Sequence, residues 1–454
     1  MKKLISITII LSFSVFGIRC KKSGNDIIPE EKSITIGQNR LYEPDQGTVS
    51  NVVKQANTAE VPLETMTKSF ESFDKATGQM TFKSDATELK SLKTGSVVLF
   101  TGHSLKKISN VTESGGKIVV KTSAAKFVDY YKSAKIAYKT NFQWNASTLA
   151  SSRIQVNGDP NARVRHIEGT NEWSYKGKIG NWEMELKLAP ETSGENRKLA
   201  IQLNGKRGNL GGVEFKGFIS NFEIENNISV DNSRVTNYSE THTGANGEIE
   251  AKYAFLSLAN EDAAFELPID FFRTMIVHGV IPVTYRLRCV FKVYPQVSAN
   301  SSSQANLKLT YSGTNGFNYQ NNGLTPRATM TNFNPSIIGD TGSASTGIVG
   351  VGVGLEFPRF EIGIFDTVVV PYMLMNTSIV NYFESGLPFM PGPCNRTRLT
   401  FKGVAGLEMS FLGANFKQEM TLFEKMQEYK TEGSRCPTST IPFVENAFLL
   451  PKSL

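Results

Sequence analysis

The chain has 454 residues, of which 40% are hydrophobic and 20% charged, a composition that predicts a folded globular protein with ample apolar material for a core. Its 29 Phe, 14 Tyr and 38 Gly favour strands joined by many turns. The formal net charge of +7 is spread along the chain without regularly spaced aromatics beside it, which excludes a typical nucleic-acid-binding surface. The length predicts more than one domain.

The N-terminus has the pattern of an export signal. A basic dipeptide at positions 2 and 3 precedes an apolar run from Leu4 to Ile18, which fits the h-region of a signal peptide and is short for a membrane-spanning helix. The sequence turns polar after this run, and no later segment reaches roughly 18 uninterrupted apolar residues. We therefore expect residues 1–19 to be a signal peptide.

A lone cysteine, Cys20, stands where the apolar run meets the polar segment KKSGND. This junction resembles the signal of Gram-negative bacterial lipoproteins, in which the cysteine becomes the new N-terminus and carries acyl lipid such as palmitate. The resemblance implies a protein anchored at the outer membrane or cell surface through Cys20, with residues 20–59 as a tether. Arg19 occupies a position that small residues usually fill, so plain secretion and a retained membrane anchor stay open as alternatives.

The segment 60–140 predicts a small β module. Strands are expected at GQMTFKS, TGSVVLF, LKKISNVTES and KIVVKTSA, with Gly115 and Gly116 as the turn between the last two. Asp85 is the expected N-cap of a short helical turn between the first two strands.

Three stretches of this segment carry a resemblance: Gly95 to Phe100, the pair Lys107-Ile108, and Val119 to Ala125. Together they resemble a β module that recurs in bacterial extracellular proteins, over about residues 79–140. That module is not tied to any activity. The resemblance implies an extracellular β fold and nothing catalytic.

From residue 141 to 454, apolar and polar residues alternate over many short runs. In NWEMELKLA, for example, Trp182, Met184, Leu186 and Leu188 alternate with charged residues. This period of two predicts antiparallel sheets with one wet face, in a large β-sandwich or an elongated barrel-like domain. The apolar parity switches near Ser220, which predicts a β-bulge there.

A row of glycines makes the segment GIVGVGVGLEFP unusual. Gly350, Gly352 and Gly354 alternate with valines, so they share one face of a predicted strand. Such a row lets another backbone or an aromatic ring pack closely, and the alternative interpretation is a smooth floor for a ligand. Pro358 predicts a bend or an edge position for this strand.

Three cysteines remain besides Cys20. In TYRLRCVFKVYP, Cys289 shares its parity with Leu287 and Phe291, and this apolar set alternates with Arg286, Arg288 and Lys292. The pattern predicts a buried position on a strand for Cys289 and a solvent-facing one for the basic residues. Cys394 and Cys436 lie in proline-containing segments, and we expect them to form a disulfide that closes the C-terminal region. No C-x-x-C motif is present, so no metal site is expected.

Catalytic signatures are scarce. The four histidines are far apart and lack metal-ligand spacing, the Asp340-Thr341-Gly342 triplet has no second copy, and no nucleotide-binding motif is present, so no cofactor is expected. Three Glu-x-Glu pairs place two carboxylates on one strand face, at a spacing that glycosidases use, although a solvated strand face is the simpler interpretation. These pairs are Glu183/Glu185, Glu223/Glu225 and Glu248/Glu250.

The sequence as a whole predicts an exported, lipid-anchored β protein with a non-enzymatic binding, adhesion or structural role at the cell envelope. Its partner would be a polysaccharide, a protein or a hydrophobic ligand. One alternative is a carrier of a lipid or other hydrophobic ligand, which requires an internal cavity near Val351 and Phe360. The other is a polysaccharide-active enzyme, which requires a Glu-x-Glu pair in a cleft beside exposed aromatics such as Trp173 or Trp182.

Overall fold

The structure is a computed structural model that describes residues 32–151, 153–156, 162, 164–191, 197–256, 265–297, 302–320, 323–337, 342–344, 348–364, 369–384, 394–409, 416–430 and 432–433. From residue 292 onward the description concerns chiefly the backbone and its strand register. The predicted signal peptide lies outside the described residues.

Strands dominate the described residues, which confirms the mainly β class. The first nine strands are β1 (Ser33–Ile36), β2 (Asn39–Tyr42), β3 (Gln46–Lys54), β4 (Thr58–Val61), β5 (Phe70–Asp74), β6 (Gln79–Lys83), β7 (Val97–Phe100), β8 (Ser104–Ser114) and β9 (Lys117–Ala124). Short helices lie between some of the elements: α1 (Leu63–Lys68), α2 (Phe127–Tyr130) and α3 (Ala146–Ser151).

Most strands lengthen along the chain, from about ten residues in the middle to fifteen or more from β21 onward, with the three-residue β24 as an exception. The middle strands are β10 (Tyr131–Phe142), β11 (Arg153–Val156), β12 (Arg165–His166), β13 (Trp173–Ile179), β14 (Trp182–Glu191), β15 (Lys198–Arg207), β16 (Gly211–Ser220), β17 (Phe222–Asp231), β18 (Arg234–Thr243) and β19 (Gly247–Leu256). The last strands are β20 (Phe265–Val277), β21 (Ile281–Val297), β22 (Ser302–Gln320), β23 (Gly323–Ile337), β24 (Gly342–Ala344), β25 (Ile348–Ile364), β26 (Val369–Glu384), β27 (Cys394–Met409) and β28 (Phe416–Lys430).

The predicted β module is a six-stranded sheet in the order β4-β7-β8-β9-β6-β5. Gly115 and Gly116 both have positive φ in the turn between β8 and β9, as a tight hairpin of this type requires, so the predicted turn is confirmed. The predicted helical turn is a 3₁₀ helix over Thr87–Ser91 that starts after Ala86 without a side-chain cap, so the predicted role of Asp85 as N-cap is wrong.

The predicted tether over 20–59 is too long. β1 and β2 form a hairpin that joins β20, β3 pairs with β10, and β4 pairs with β7 of the module. The alternation of apolar and polar residues is weak in β3, because this strand lies at a sheet edge and exposes most of its side chains. The strands of the described fold therefore start at Ser33, inside the predicted tether.

The predicted domain boundary at 140/141 also differs from the structure, because it falls inside β10. This strand pairs with β3 on one side and β17 on the other. The module in turn shares a hydrophobic cluster with β1, β2 and β20 through Ile36, Leu41 and Ile276. Gly102 lies at this contact with a φ of +72°, and a Cβ there would come within 2.8 Å of Ile36. The module therefore packs onto the large domain.

Two large sheets pack face to face as a β-sandwich. The nine-stranded sheet has the order β1-β2-β20-β21-β25-β26-β27-β28, with β11 beside β20. The thirteen-stranded sheet has the order β12-β13-β14-β15-β16-β19-β22-β18-β17-β10-β3, with β23 and β24 beside β22. One core cluster joins side chains of both sheets, for example Leu186 and Leu203 from one and Leu267 and Leu287 from the other.

The alternation predicted for the large domain is confirmed where side chains are described. Trp182, Met184, Leu186 and Leu188 are all buried, and the residues between them face solvent or are half-buried. Cys289 is likewise buried, as its alternation predicted. One face of each strand in this part of the thirteen-stranded sheet therefore builds the core.

The predicted bulge near Ser220 is a break shared by two strands. β16 and β17 lie end to end with only Asn221 between them, and β18 and β19 are separated only by 244–246. β16 and β17 form one arm of a long hairpin, and β18 and β19 form the other. Ile219 is opposite Gly247 before the break and Glu223 is opposite Thr243 after it, so the inward-facing positions shift by one residue in both arms at the same place. A one-sided bulge is therefore the wrong description.

Trp144 fills the seam that this break creates. Its backbone N–H donates to Asn221 Oδ1 at 2.8 Å, and its indole Nε1 donates to the Ser220 carbonyl at 3.1 Å. The side chain is fully buried and meets Phe142 and Phe271 edge to face. The seam is therefore closed by an aromatic contact that reaches the opposite sheet.

Candidate functional site

Three residues singled out from the sequence lie outside the described residues. They are the predicted lipidation site Cys20, Cys436 of the predicted disulfide, and Asp340. Cys394 opens β27, with its backbone opposite Glu384 of β26. The anchor and the disulfide stay predictions.

The glycine row of β25 lies inside the nine-stranded sheet, between β21 and β26. Gly350, Gly352 and Gly354 are in register with positions 296, 294 and 292 of β21. Leu355 is in register with Phe291, which packs in the core. Since neighbouring strand positions alternate between faces, the glycine positions lie on the sheet face away from the sandwich core.

Pro358 interrupts the register of β25 with both neighbouring strands. Two residues of β25 oppose Cys289 alone on β21, and the pairing with β26 is also irregular there. The predicted interruption at Pro358 is therefore present, as a bulge. The strand lies inside the sheet and not at its edge. A bulge accepts proline because the residue there does not need a backbone N–H for pairing.

The Glu-x-Glu pairs lie on the solvent-facing side of the thirteen-stranded sheet, each engaged with lysine. Representative contacts are Lys178 with Glu183 at 3.5 Å, Lys139 with Glu223 at 2.8 Å and Lys308 with Glu248 at 2.7 Å. Trp173 and Trp182, which the polysaccharide-active alternative required to be exposed, are 5% and 1% exposed. The exposed aromatic platform expected for that alternative is therefore wrong at both tryptophans.

A buried polar row crosses three strands on the core face of the thirteen-stranded sheet. Tyr138 of β10 is opposite Asn226 of β17, which is opposite Glu240 of β18. Asn226 Nδ2 donates to Glu240 Oε2 at 2.8 Å, and His242 Nε2 lies 2.6 Å from Glu240 Oε1. All four side chains are at most 4% exposed. Both carboxylate oxygens of Glu240 therefore have polar neighbours within the core.

One hydrogen bond links this polar row to the opposite sheet. The hydroxyl of Tyr285, on β21, donates to the hydroxyl of Tyr138 at 2.7 Å. Burial raises the pKa of Tyr138, Tyr238 and Tyr285 well above the usual value of a phenol, and the nearby Glu240 adds to the shift. The three phenols are therefore held neutral and can act as hydrogen-bond donors across the sandwich.

Arg273 lies beside this row on the other sheet, in register with Tyr285. Its guanidinium carbon is 4.6 Å from the ring centre of Tyr42 and 5.5 Å from that of Phe142, and NH1 donates to Thr148 Oγ1 at 3.4 Å. Burial lowers the pKa of Arg273 to about 10. The aromatic faces therefore help to hold a cation inside the core.

A second buried carboxylate lies on the other face of the nine-stranded sheet. Asp270 of β20 accepts from Arg288 Nε at 2.7 Å and Arg288 NH2 at 3.1 Å, and from Arg286 NH2 at 2.8 Å. The Asp270 side chain is 1% exposed and that of Arg286 is 24% exposed. Burial and the charge of Asp270 raise the pKa of the Cys289 thiol well above its usual value, so this thiol is unreactive.

An apolar cavity lies between the two sheets, away from the polar row. Ile201, Gly217 and Ile249 form a cross-strand row at its floor, and Phe291 of the opposite sheet contacts Phe215 beside it with ring centres 5.1 Å apart. The volume of this cavity is about 20 Å³, room for about one water molecule. A space of this size is typical of a packed core and is too small for a ligand-binding site.

Neither the polar row nor the cavity could be recognised from the sequence pattern. The segment NYSETHT, which contains Glu240 and His242, has no aliphatic residue, so its inward parity could not be assigned. The cavity depends on which strand lies beside Gly217 and on the approach of Phe291, neither of which short-range periodicity reports. Phe222 and Ile224 lie on the strand that pairs with this segment. Their alternation could have indicated which positions of the segment face inward.

Among the described residues, no group of three His, Cys, Asp or Glu side chains is arranged to hold a metal ion. The same part of the chain contains no helix that is both long and apolar enough to cross a membrane. No known protein family, no curated protein and no solved structure matches the chain.

Proposed function

We propose that the protein is an exported lipoprotein of the cell envelope, anchored through Cys20, with a non-enzymatic binding role. The observation that carries the proposal is the position of Cys20, between the apolar run that ends at Ile18 and a polar segment. The first described strand begins at Ser33, so the stretch of chain from Cys20 to this strand spans at most roughly 45 Å when fully extended. The β-sandwich would then be held close to the membrane surface.

The described surfaces support binding over catalysis. The acidic pairs that resemble glycosidase carboxylates are in contact with lysines on an open strand face, which is the ordinary arrangement of a solvated sheet. The thiol of Cys289 is buried and its pKa is raised, so it is a poor nucleophile.

The second candidate function, a carrier of a hydrophobic ligand, has weaker support. The space between Ile201, Gly217 and Ile249 has room for about one water molecule and not for an alkyl chain.

The anchor is tested by comparing wild type with Cys20→Ala in fractionated cells and by mass spectrometry of the mature N-terminus. We expect the wild type to be retained in membranes with an acylated N-terminal Cys20, and the variant to be lost from them. Ser23→Ala, which alters a neighbouring polar residue and keeps the cysteine, is the matched control and should behave as wild type. An unmodified N-terminus at another residue, or membrane retention of Cys20→Ala, would contradict the proposal.

A further inference from the structure

We propose that the sheet edge formed by β3 rests on the surface of the membrane that holds the anchor, with Val52 and Val53 in contact with lipid. This inference names the partner of one surface and rests on the proposed anchor at Cys20. The exposure of the two valines, the charges around them and the path of the chain from the anchor support it.

Val52 and Val53 are adjacent in sequence, and both face solvent, with exposed fractions of 42% and 50%. Neighbouring residues of a regular strand point to opposite faces, so one of two adjacent valines would normally face inward. In β3, however, Asn51 and Val52 oppose Ala134 of β10 alone. This β-bulge turns both valines away from the core.

The bulge has a cost that the rest of the fold does not recover. Asn51 has a φ of +52°, a conformation that few residues other than glycine adopt. Two valines in water also lose the free energy that burial would supply. Among the described residues β3 pairs only with β10, and a bulge at a sheet edge opposes the addition of another strand. A contact through the side chains, and not through the backbone, would therefore cover the pair.

Basic side chains surround the valine pair. Lys132 and Lys135 of β10 lie on either side of the position opposite Val53, and Lys54 follows the pair on β3. Four cations and two carboxylates are exposed on this edge and on the turn that follows β17, so the edge is basic. These groups are Lys54, Lys132, Lys135, Arg234, Glu60 and Asp231. Apolar side chains within a basic surface are typical of proteins that bind anionic lipid bilayers.

The anchor enters the fold on the same side. β1 and β2 form the outer edge of the nine-stranded sheet, and only residues 43–45 separate β2 from β3. A Cβ at Gly47 of β3 would lie 3.3 Å from Val277 of β20, so the edges of the two sheets lie against each other. Ser33, the strand residue nearest to Cys20 in the sequence, therefore lies on the side of the sandwich that exposes the valines. A span of at most roughly 45 Å from Cys20 keeps that side near the membrane.

The test uses the acylated full-length protein in vesicles of phosphatidylethanolamine and phosphatidylglycerol, with brominated acyl chains as a quencher of tryptophan fluorescence. The three native tryptophans, Trp144, Trp173 and Trp182, are at most 5% exposed, so bromine should not quench them. Val53→Trp places an indole in the proposed contact, and its added fluorescence should fall about twofold in brominated vesicles. Salt at about 1 M, where the Debye length is roughly 3 Å, should weaken this quenching.

Leu210→Trp is the matched control, because Leu210 is 43% exposed and lies in the turn between β15 and β16. Its fluorescence should be the same in brominated and ordinary vesicles, although the anchor is unchanged. Lys132→Glu together with Lys135→Glu should restore most of the fluorescence of Val53→Trp. Circular dichroism and thermal unfolding show whether each variant folds.

Equal quenching of Val53→Trp and Leu210→Trp, or no quenching of either, would overturn the inference. A blue shift of Val53→Trp that grows with the protein-to-lipid ratio and does not respond to bromine would indicate a second copy of the chain on this edge, and would overturn it as well. In each of these cases an acylated Cys20 and retention in membranes would leave the anchor standing. An unmodified N-terminus at another residue would overturn both proposals.

Discussion

Two carboxylates, Asp270 and Glu240, are each 1% exposed, and the protein stabilises them in different ways. Asp270 accepts hydrogen bonds from two guanidinium groups on the neighbouring strand, so these ion pairs form within one strand pair. Glu240 is held by an amide and an imidazole, in a row that continues through Tyr138 to the opposite sheet. The first arrangement fixes the register of one hairpin, and the second spreads polar contacts over the sandwich.

The largest effect is expected at the ion cluster. Asp270→Ala leaves the buried Arg288 without its carboxylate, and removing one partner of a buried ion pair costs about 3–5 kcal/mol of unfolding free energy. The matched control is Glu185→Ala, which also removes a carboxylate shared by two cations, Lys176 and Lys187, at a half-exposed site. Its cost should stay below about 1 kcal/mol. Urea unfolding of both variants measures the difference, and equal losses would show that burial does not distinguish the two sites.

Glu240→Leu is expected to have the next largest effect. The change leaves the polar groups of Asn226 and His242 buried without their carboxylate, at about 1–3 kcal/mol for each unsatisfied group. Glu240→Gln keeps a polar side chain of similar shape and should cost less than half as much. If Gln and Leu proved equally harmful in urea unfolding, the charge of Glu240 and not its hydrogen bonds would carry the stability.

Alkaline pH should weaken the sandwich through the buried tyrosines. The pKa of Tyr138, Tyr238 and Tyr285 is raised in the folded state, so above pH 10 the unfolded chain releases protons that the folded chain retains. Stability is then full below about pH 10 and falls as the pH rises toward the folded-state pKa, by up to about 1.4 kcal/mol per pH unit for each tyrosine. Urea unfolding at pH 9, 10 and 11 measures the slope. Tyr238→Phe should make it shallower, and an unchanged slope would contradict the assignment.

The smallest effect is expected for the hydrogen bond between Tyr285 and Tyr138, which joins the two sheets. Tyr285→Phe removes the donor to Tyr138 and should cost about 1 kcal/mol. The double variant Tyr138→Phe/Tyr285→Phe should cost less than the sum of the single changes, because no hydroxyl is left without a partner. Strict additivity in a double-mutant cycle would show that the two hydroxyls do not interact.

Local alternation predicted much of the fold. Trp182, Met184 and Leu186 alternate with charged residues, so their burial followed from the period of a strand. The turn at Gly115 and Gly116 followed from the requirement for positive φ. Both signals act within a few residues, which is the range over which a sequence pattern determines structure directly.

Long-range pairing could not be predicted in the same way. The burial of Asp270 and Arg288 depends on the pairing of β20 with β21 and on what covers this face, and the alternation in TYRLRC predicted that Arg288 would face solvent. The polar residues Glu240 and His242 occupy inward positions of β18 that a hydrophobic pattern assigns to the surface. Buried polar clusters violate the rule on which sequence-based prediction depends, so functional or structural sites of this type are missed most easily.

The pairing of the first strands has a consequence for biosynthesis. Tyr42 of β2 pairs with Met275 of β20, and Val49 of β3 pairs with Ile136 of β10. A ribosome delivers the N-terminal strands first, so β1 and β2 must wait for more than half of the chain before their partner exists. Contacts this distant in sequence slow folding and leave strand edges open to other molecules in the interval. The hairpin of β1 and β2 can therefore take its place in the nine-stranded sheet only after β20 has emerged.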